Sequence, residues 1–379
     1  LKQALESLRP RVMEIFEHLR AHPEISWREV ETTAYLACLL RESGCRVTTF
    51  GDCTGVVGEI GAGELPLIVA LRADLDALWQ EVDGEFRANH SCGHDAHMTI
   101  VFGAWLLLKE VGFVPKGTLK LIFQPAEEKG TGALKMIEKK VVDDVDFLYG
   151  VHLRPATEMA NRQAAAAIYN GSGQFISGKI IGADTHGARP HLGVNAIEVG
   201  AALVRELQRI RLNPMIPYSV KVTRFIAGGE SHNVIPGNAE FSLDLRAQTN
   251  QAMDQLLAEV DRIIQAITAL YDTQIDLSYH ARVPAAEVDE QARKLLGEAI
   301  EDTLGVDQLV EPVVSPGGED FHFYTIKRPQ IKATMLGLGC GLEPGLHHPQ
   351  MTFDREALLA GIEILARVVK RTFEQRGDG

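Results

Sequence analysis

Three stretches, LPLIVALRAD (65–74), GTLKLIFQP (117–125) and VDFLYGVHL (145–153), are apolar with few interruptions, and each runs into charged or metal-ligating residue types. A strand with two apolar faces must be covered on both, and the stretches near 97–111 and 132–141 carry the 3.6-residue period of helices that could cover them. Strands alternating with helices predict an α/β fold: a mostly parallel sheet flanked by helices. The pattern returns late in the chain, with a helix over 287–304, a strand IKATMLGLG (331–339) and a helix from Arg355 to Gln375.

From Gln174 the order changes. A strand (174–184), a helix (195–210), strands at 218–229 and 239–247, a helix (251–272) and a strand (273–281) follow one another. Strand, helix, strand, strand, helix, strand is the ferredoxin-like order, an α+β unit that closes on itself. The expectation is therefore a discontinuous domain, 1–173 and 283–379, interrupted by an inserted domain at 174–282. Two domains also suit 379 residues, because a single core stops growing at about 250–300.

Charge narrows the partners. The formal net charge is −13 and no basic block tracks along the chain, so neither nucleic acid nor an anionic membrane surface is expected as a partner. No apolar run approaches the roughly 20 residues of a membrane helix, and LKQALESLRPRVMEIFEHLR has the pattern of an amphipathic helix rather than a signal peptide. Five cysteines, odd in number and scattered, argue for a reducing compartment. A cytoplasmic protein acting on a small molecule or peptide is the expectation.

In open α/β sheets, ligands bind beyond the carboxyl ends of the strands. Asp74 and Asp76 close one predicted strand, Glu127 and Glu128 (FQPAEEKG) another, and His152 a third; SCGHDAH (91–97) precedes a helix and GLHHPQ (345–350) follows the late strand. Taken singly, each has an ordinary explanation: paired carboxylates are usually solvated or cap a helix, and a lone histidine is usually structural. Five such segments at one sheet edge predict a metal centre. Thiolate and imidazole two positions apart suit a borderline divalent cation, and one thiolate can bridge two. Of two adjacent glutamates, one can bind metal while the other takes a proton from water. A Cys/His nucleophile pair would need neither the glutamates nor the distant histidines, so Cys92 is read as a ligand.

The motifs HPEIS (22–26), LRADLDAL, CGHDAH, QPAEE, HGARPH (186–191), SHNVIPGNAEF (231–241), GGEDF (317–321) and LHHP (346–349) together resemble the di-metal aminoacylase and carboxypeptidase superfamily. The nearest branch comprises hippurate hydrolases, indole-acetyl-amino-acid hydrolases and N-acyl-amino-acid deacetylases. The resemblance implies two divalent metal ions per subunit (zinc, manganese, cobalt or nickel), with Cys92 bridging and His94, Glu128, His152 and His347 completing the ligands. It makes Glu127 the general base toward a water held between the cations, and Asp76 the acidic residue that steadies a ligand. The inserted domain becomes a dimerisation or lid domain. In the resulting homodimer, His186 serves the oxyanion across the interface, Asn233 and Arg246 hold a substrate carboxylate, and Gly318 lines the pocket through its backbone. The implied activity is hydrolysis of N-acyl amino acids; a dipeptidase or aminopeptidase of the same superfamily and a catalytically idle metal-binding module are the alternatives.

One segment departs from the resemblance. Between Ala77 and Cys92 the chain is about six residues shorter than the family pattern, and Trp79 stands where the pattern has proline. This segment is expected to form a loop beside the substrate cleft.

Overall fold

After helices α1 (Lys2–Ala21) and α2 (Val30–Glu42), the chain lays down strands β1 (Arg46–Thr49), β2 (Val56–Ile60) and β3 (Ile68–Asp74). A hairpin of β4 (Leu78–Val82) and β5 (Glu85–Asn89) leads to α3 (His94–Glu110), β6 (Thr118–Gln124), α4 (Gly132–Glu138), β7 (Phe147–Pro155) and β8 (Ala164–Ala165). A second unit contains β9 (Ser172–Ile181), α5 (Ala196–Leu207), β10 (Tyr218–Ala227), β11 (Ala239–Ala247), α6 (Asn250–Tyr271) and β12 (Gln274–Val283). The first unit resumes with α7 (Glu290–Leu304), β13 (Leu309–Val310), α8 (Phe323–Lys327), β14 (Lys332–Leu342) and α9 (Glu356–Gln375). This computed structural model describes residues 1–61 and 66–375; Leu65, the first residue of the first expected strand, and residues 376–379, the end of the expected first domain, lie outside the described residues.

The large sheet has the order β1-β2-β6-β3-β7-β14-β8-β13. Its centre, β6-β3-β7-β14, is parallel, and β1, β2 and the β14–β8 pairing are antiparallel. The central strands are buried along nearly their whole length because both faces are covered. Val69, Leu71, Leu121, Phe123, Tyr149 and Val151 pack into the core that α1, α2, α3, α7 and α9 complete. Ala70, Ile122 and Leu148, one position out of phase, pack instead with residues of α4 and α8. Each fully buried aliphatic or aromatic side chain in these layers contributes about 1.5–3 kcal/mol.

The second unit covers Asn170–Ala286 with residues 315–319. Its antiparallel sheet runs β10-β11-β9-β12, the ferredoxin-like strand order, over a core shared with α5 and α6.

One buried histidine ties the first unit's stability to pH. His322 is 2% exposed, and burial, aided by the nearby Arg72 cation, lowers its pKa from 6.5 to about 3. The unfolded chain binds this proton below about pH 6.5 and the folded chain does not, so the contribution is complete above that pH and is lost progressively on acidification toward about pH 3. Denaturant melts at a series of pH values should show a loss of up to about 1.4 kcal/mol per pH unit from this group. His322→Asn should flatten the dependence by that share; an unchanged slope would refute the assignment.

Candidate metal centre

Four parallel strands present their carboxyl ends together, and the ligating residue types follow from that. β3 delivers Asp74 and then Asp76, β6 leads through Pro125 to Glu127 and Glu128, β7 carries His152, and β14 is followed by His347. Two backbone features fix the turns. Gly93, with φ of +88°, joins Cys92 to α3, whose first residue is His94, and an added Cβ would lie 3.0 Å from Leu153 Cδ1. At Gly132 a Cβ would sit 1.6 Å from the Pro125 carbonyl oxygen, so only glycine lets the chain close behind the glutamates.

Of the five groups of potential donor atoms among the described residues, two have Cys92 in common. Potential ligand atoms of Cys92, His94 and His152 lie within 4.8 Å of one another, and so do those of Cys92, Glu128 and His347. His152 Nε2 is 3.6 Å from Cys92 Sγ, and Glu128 Oε1 is 3.7 Å from His94 Nε2 and 3.4 Å from His347 Nε2. Glu127 joins His94 and Glu128 in a further group of the same span. All six residues belong to the first unit. His348 points elsewhere: it is exposed, and its Nδ1 accepts from the Gln350 N–H at 3.2 Å.

Asp76 organises the centre through its carboxylate. Oδ1 accepts from the Glu127 N–H (3.1 Å) and Oδ2 from the Glu128 N–H (3.0 Å) and the Ser26 hydroxyl (2.6 Å), while His94 Nδ1 stands 3.4 Å from Oδ1. His152 donates from Nδ1 to the Leu153 carbonyl at 2.7 Å, which leaves the Nε2 lone pair facing Cys92. His97 accepts from the Leu153 N–H at Nε2 (3.0 Å), so its Nδ1 carries the proton donated to Asp74 (2.7 Å). Asp74 is held in turn by Arg72, fully buried, which also donates to Asp320 (2.8 Å) and Gln124 (2.9 Å).

The electrostatics suit cations. Burial works against the charge of Asp74, yet His94, His97 and Arg72 hold its carboxyl well below the usual range. Asp76 is likewise lowered despite burial, by His94, Ser26 and the Glu128 N–H. Burial, reinforced by Glu128, pushes the Cys92 thiol up, and the proximity of Cys92 and Glu128 pushes His347 up to about 10, so a cation arriving here displaces protons. Both ring nitrogens of His94 and Oε1 of Glu128 are buried with no hydrogen-bond partner among the described residues. Buried polar atoms of this kind are costly unless something binds them, and imidazoles, a thiolate and a carboxylate are together a donor set for transition-metal dications.

The other four expected site residues lie on the second unit. His186 and Asn233 are exposed neighbours there: Thr185–His186 pairs with Val234–Ile235, and the Gly187 N–H donates to the Asn233 carbonyl at 2.7 Å. Arg246 is half-buried, paired with Asp244 at 2.7 Å and set over the Phe175 ring at 5.2 Å. Gly318 packs on Val283, which an added Cβ would meet at 3.2 Å. Ser26, Arg72, His97 and the Leu153 carbonyl, which orient the ligating groups and their neighbours, were given no role from sequence, and Asp74 was placed at its strand end without one. An arginine inside an otherwise apolar strand, in LRAD, was the available signal, since it must be paired when buried.

Comparison with known proteins fits this arrangement. The model of peptidase family M20/M25/M40 matches residues 70–371. The chain belongs to this family. An N-acetyl-L-cysteine deacetylase of Bacillus subtilis is 31% identical over 99% of this chain and 91% of its own. An IAA-amino acid hydrolase of Arabidopsis thaliana is 32% identical over 82% of this chain and 73% of its own. A solved Bacillus subtilis protein, described as a dinuclear metal binding peptidase from the M20 family, superposes with a TM-score of 0.83 at 28% identity, covering 97% of this chain and 99% of that one. The chain is accordingly a hydrolase of the M20 type, and its metal-binding character is a family property.

Removing the Asp76 carboxylate tests how the centre is held. Asp76→Ala strands the Ser26 hydroxyl and two N–H donors and should cost about 2–3 kcal/mol in denaturant melts. Metal affinity should fall about 10–100-fold in titrations read by elemental analysis; unchanged affinity would mean that Asp76 does not orient His94 or Glu128.

Proposed function

We propose that this protein hydrolyses the amide bond of N-acyl amino acids at a pair of divalent cations bridged by Cys92, with His94 and His152 completing one site and Glu128 and His347 the other. The observation that carries this reading is the membership of Cys92 in both donor groups. Zinc, manganese, cobalt and nickel all suit such donors. When bound, two such ions polarise an amide carbonyl and lower the pKa of the attacking water.

The chain's own residues do the rest. Glu127, within 4.8 Å of His94 and Glu128, takes the proton from the attacking water and delivers it to the departing amine nitrogen. Asp76, bonded to the N–H groups of both glutamates, fixes the pair so that one carboxylate binds and the other moves the proton. The second unit, inserted at about 174–282 by its sequence pattern, serves as the lid and dimerisation domain of a homodimer. In this reading His186 meets the oxyanion formed in the partner subunit, Asn233 and Arg246 hold the substrate carboxylate, and Gly318 contributes backbone. The ladder that sets His186 beside Asn233 supports their joint role. Deacetylase and IAA-amino acid hydrolase relatives support an acylated amino acid as substrate. A cytoplasmic location is supported by five unpaired cysteines. No described helix is long and apolar enough to cross a membrane.

The solved relative described as a peptidase favours a dipeptidase as the second reading. Acetyl, benzoyl and indole-acetyl amino acids assayed beside free dipeptides separate the two, and turnover only of the acylated compounds is the expected result. Glu127→Gln should retain both metals while kcat falls about 10²–10⁴-fold; undiminished kcat would exclude Glu127 as the base. Mixing His186→Ala with Glu127→Gln subunits should restore part of the activity if the oxyanion group crosses the dimer. No recovery in proven heterodimers would place His186 outside the reaction.

A further inference from the structure

Where a loop was expected between Ala77 and Cys92, the chain forms a tight hairpin. β4 and β5 pair in register, Leu78 opposite Asn89 and Val82 opposite Glu85, across a two-residue Asp83-Gly84 turn in which both residues have positive φ. One face of β4 turns Trp79 and Glu81 outward, both exposed; the alternate residue, Gln80, reaches the turn that carries His347.

The contacts with that turn are specific. Gln80 Nε2 donates to the His347 carbonyl at 3.0 Å. Asn89 Nδ2 donates to the Gln80 side-chain oxygen at 2.9 Å and to the Pro349 carbonyl at 3.0 Å. Just beyond β5, the Ser91 carbonyl accepts from the His347 N–H at 2.7 Å. His347 has a φ of +65°, a left-handed conformation that a non-glycine residue keeps only where its surroundings impose it. It is also the most exposed side chain of the two donor groups, 54% accessible, so packing does little to fix its ring.

We infer that the hairpin is a clamp for one half of the metal centre: Gln80 and Asn89 are positioning residues that hold the His347 backbone where its imidazole can complete the site formed with Cys92 and Glu128. This rests on the two-cation reading above. The other site draws on His94, at the start of a buried helix, and His152, inside a buried strand, so it does not depend on the hairpin. The clamp therefore makes the two sites separable, one built into the core and one held by hydrogen bonds at the surface.

Calorimetric titration of chelator-stripped protein with cobalt(II) tests this. Wild type should bind two ions per chain. Gln80→Met, which keeps the shape but loses the donor, and Asn89→Ala should each weaken one ion by about 10–100-fold while leaving the other within about twofold. Glu81→Gln, on the opposite face of the same strand, should titrate as wild type, and thermal melts of the metal-free variants should match it. Two ions bound by both variants with wild-type affinities, or equal weakening of both ions, would overturn the clamp. Fewer than two ions on wild type would instead overturn the two-cation reading on which it rests.

Discussion

Withdrawing ligating atoms from water without giving them hydrogen bonds is the constraint on which this structure turns. His94 has neither nitrogen satisfied among the described residues, and one oxygen of Glu128 is in the same condition. Left alone, such atoms cost stability. They are tolerable in a site that exists to bind cations, and the parallel sheet explains how they come together. Strands that run side by side end side by side, so residues as distant in sequence as Asp76, Glu128, His152 and His347 converge beyond one edge.

Several polar groups around the ligating atoms are hydrogen-bonded in ways that fix their orientation. Asp76 engages two N–H groups and a hydroxyl, and His152 and His97 are each turned by the Leu153 peptide. Arg72 joins Asp74 to Asp320 in the interior, linking the end of β3 to the segment before α8. Pairs of this kind add little net stability compared with an apolar packing of the same volume, but they fix orientation.

Much of this was legible in the sequence, and the reasons for the failures are physical. Strands apolar on both faces announce themselves by composition alone, so the central strands and the helices between them were placed to within a few residues. Ligand types at strand ends could be collected because topology, rather than side-chain detail, brings them together. Arg72 and Asp320, 248 residues apart, pair through packing that no local pattern encodes. The hairpin is a different case. Its signal was present, since LWQEV and EFRAN flank an Asp-Gly turn, but the expectation of a loop came from likeness to longer relatives.

The most direct test is anomalous-difference crystallography of the protein loaded with zinc or manganese, recorded above and below the metal edge. Two peaks, each within bonding distance of Cys92 Sγ, one also bonded to His94 and His152 and the other to Glu128 and His347, is the predicted result. A single peak, or peaks away from the thiolate in fully active crystals, would contradict the account.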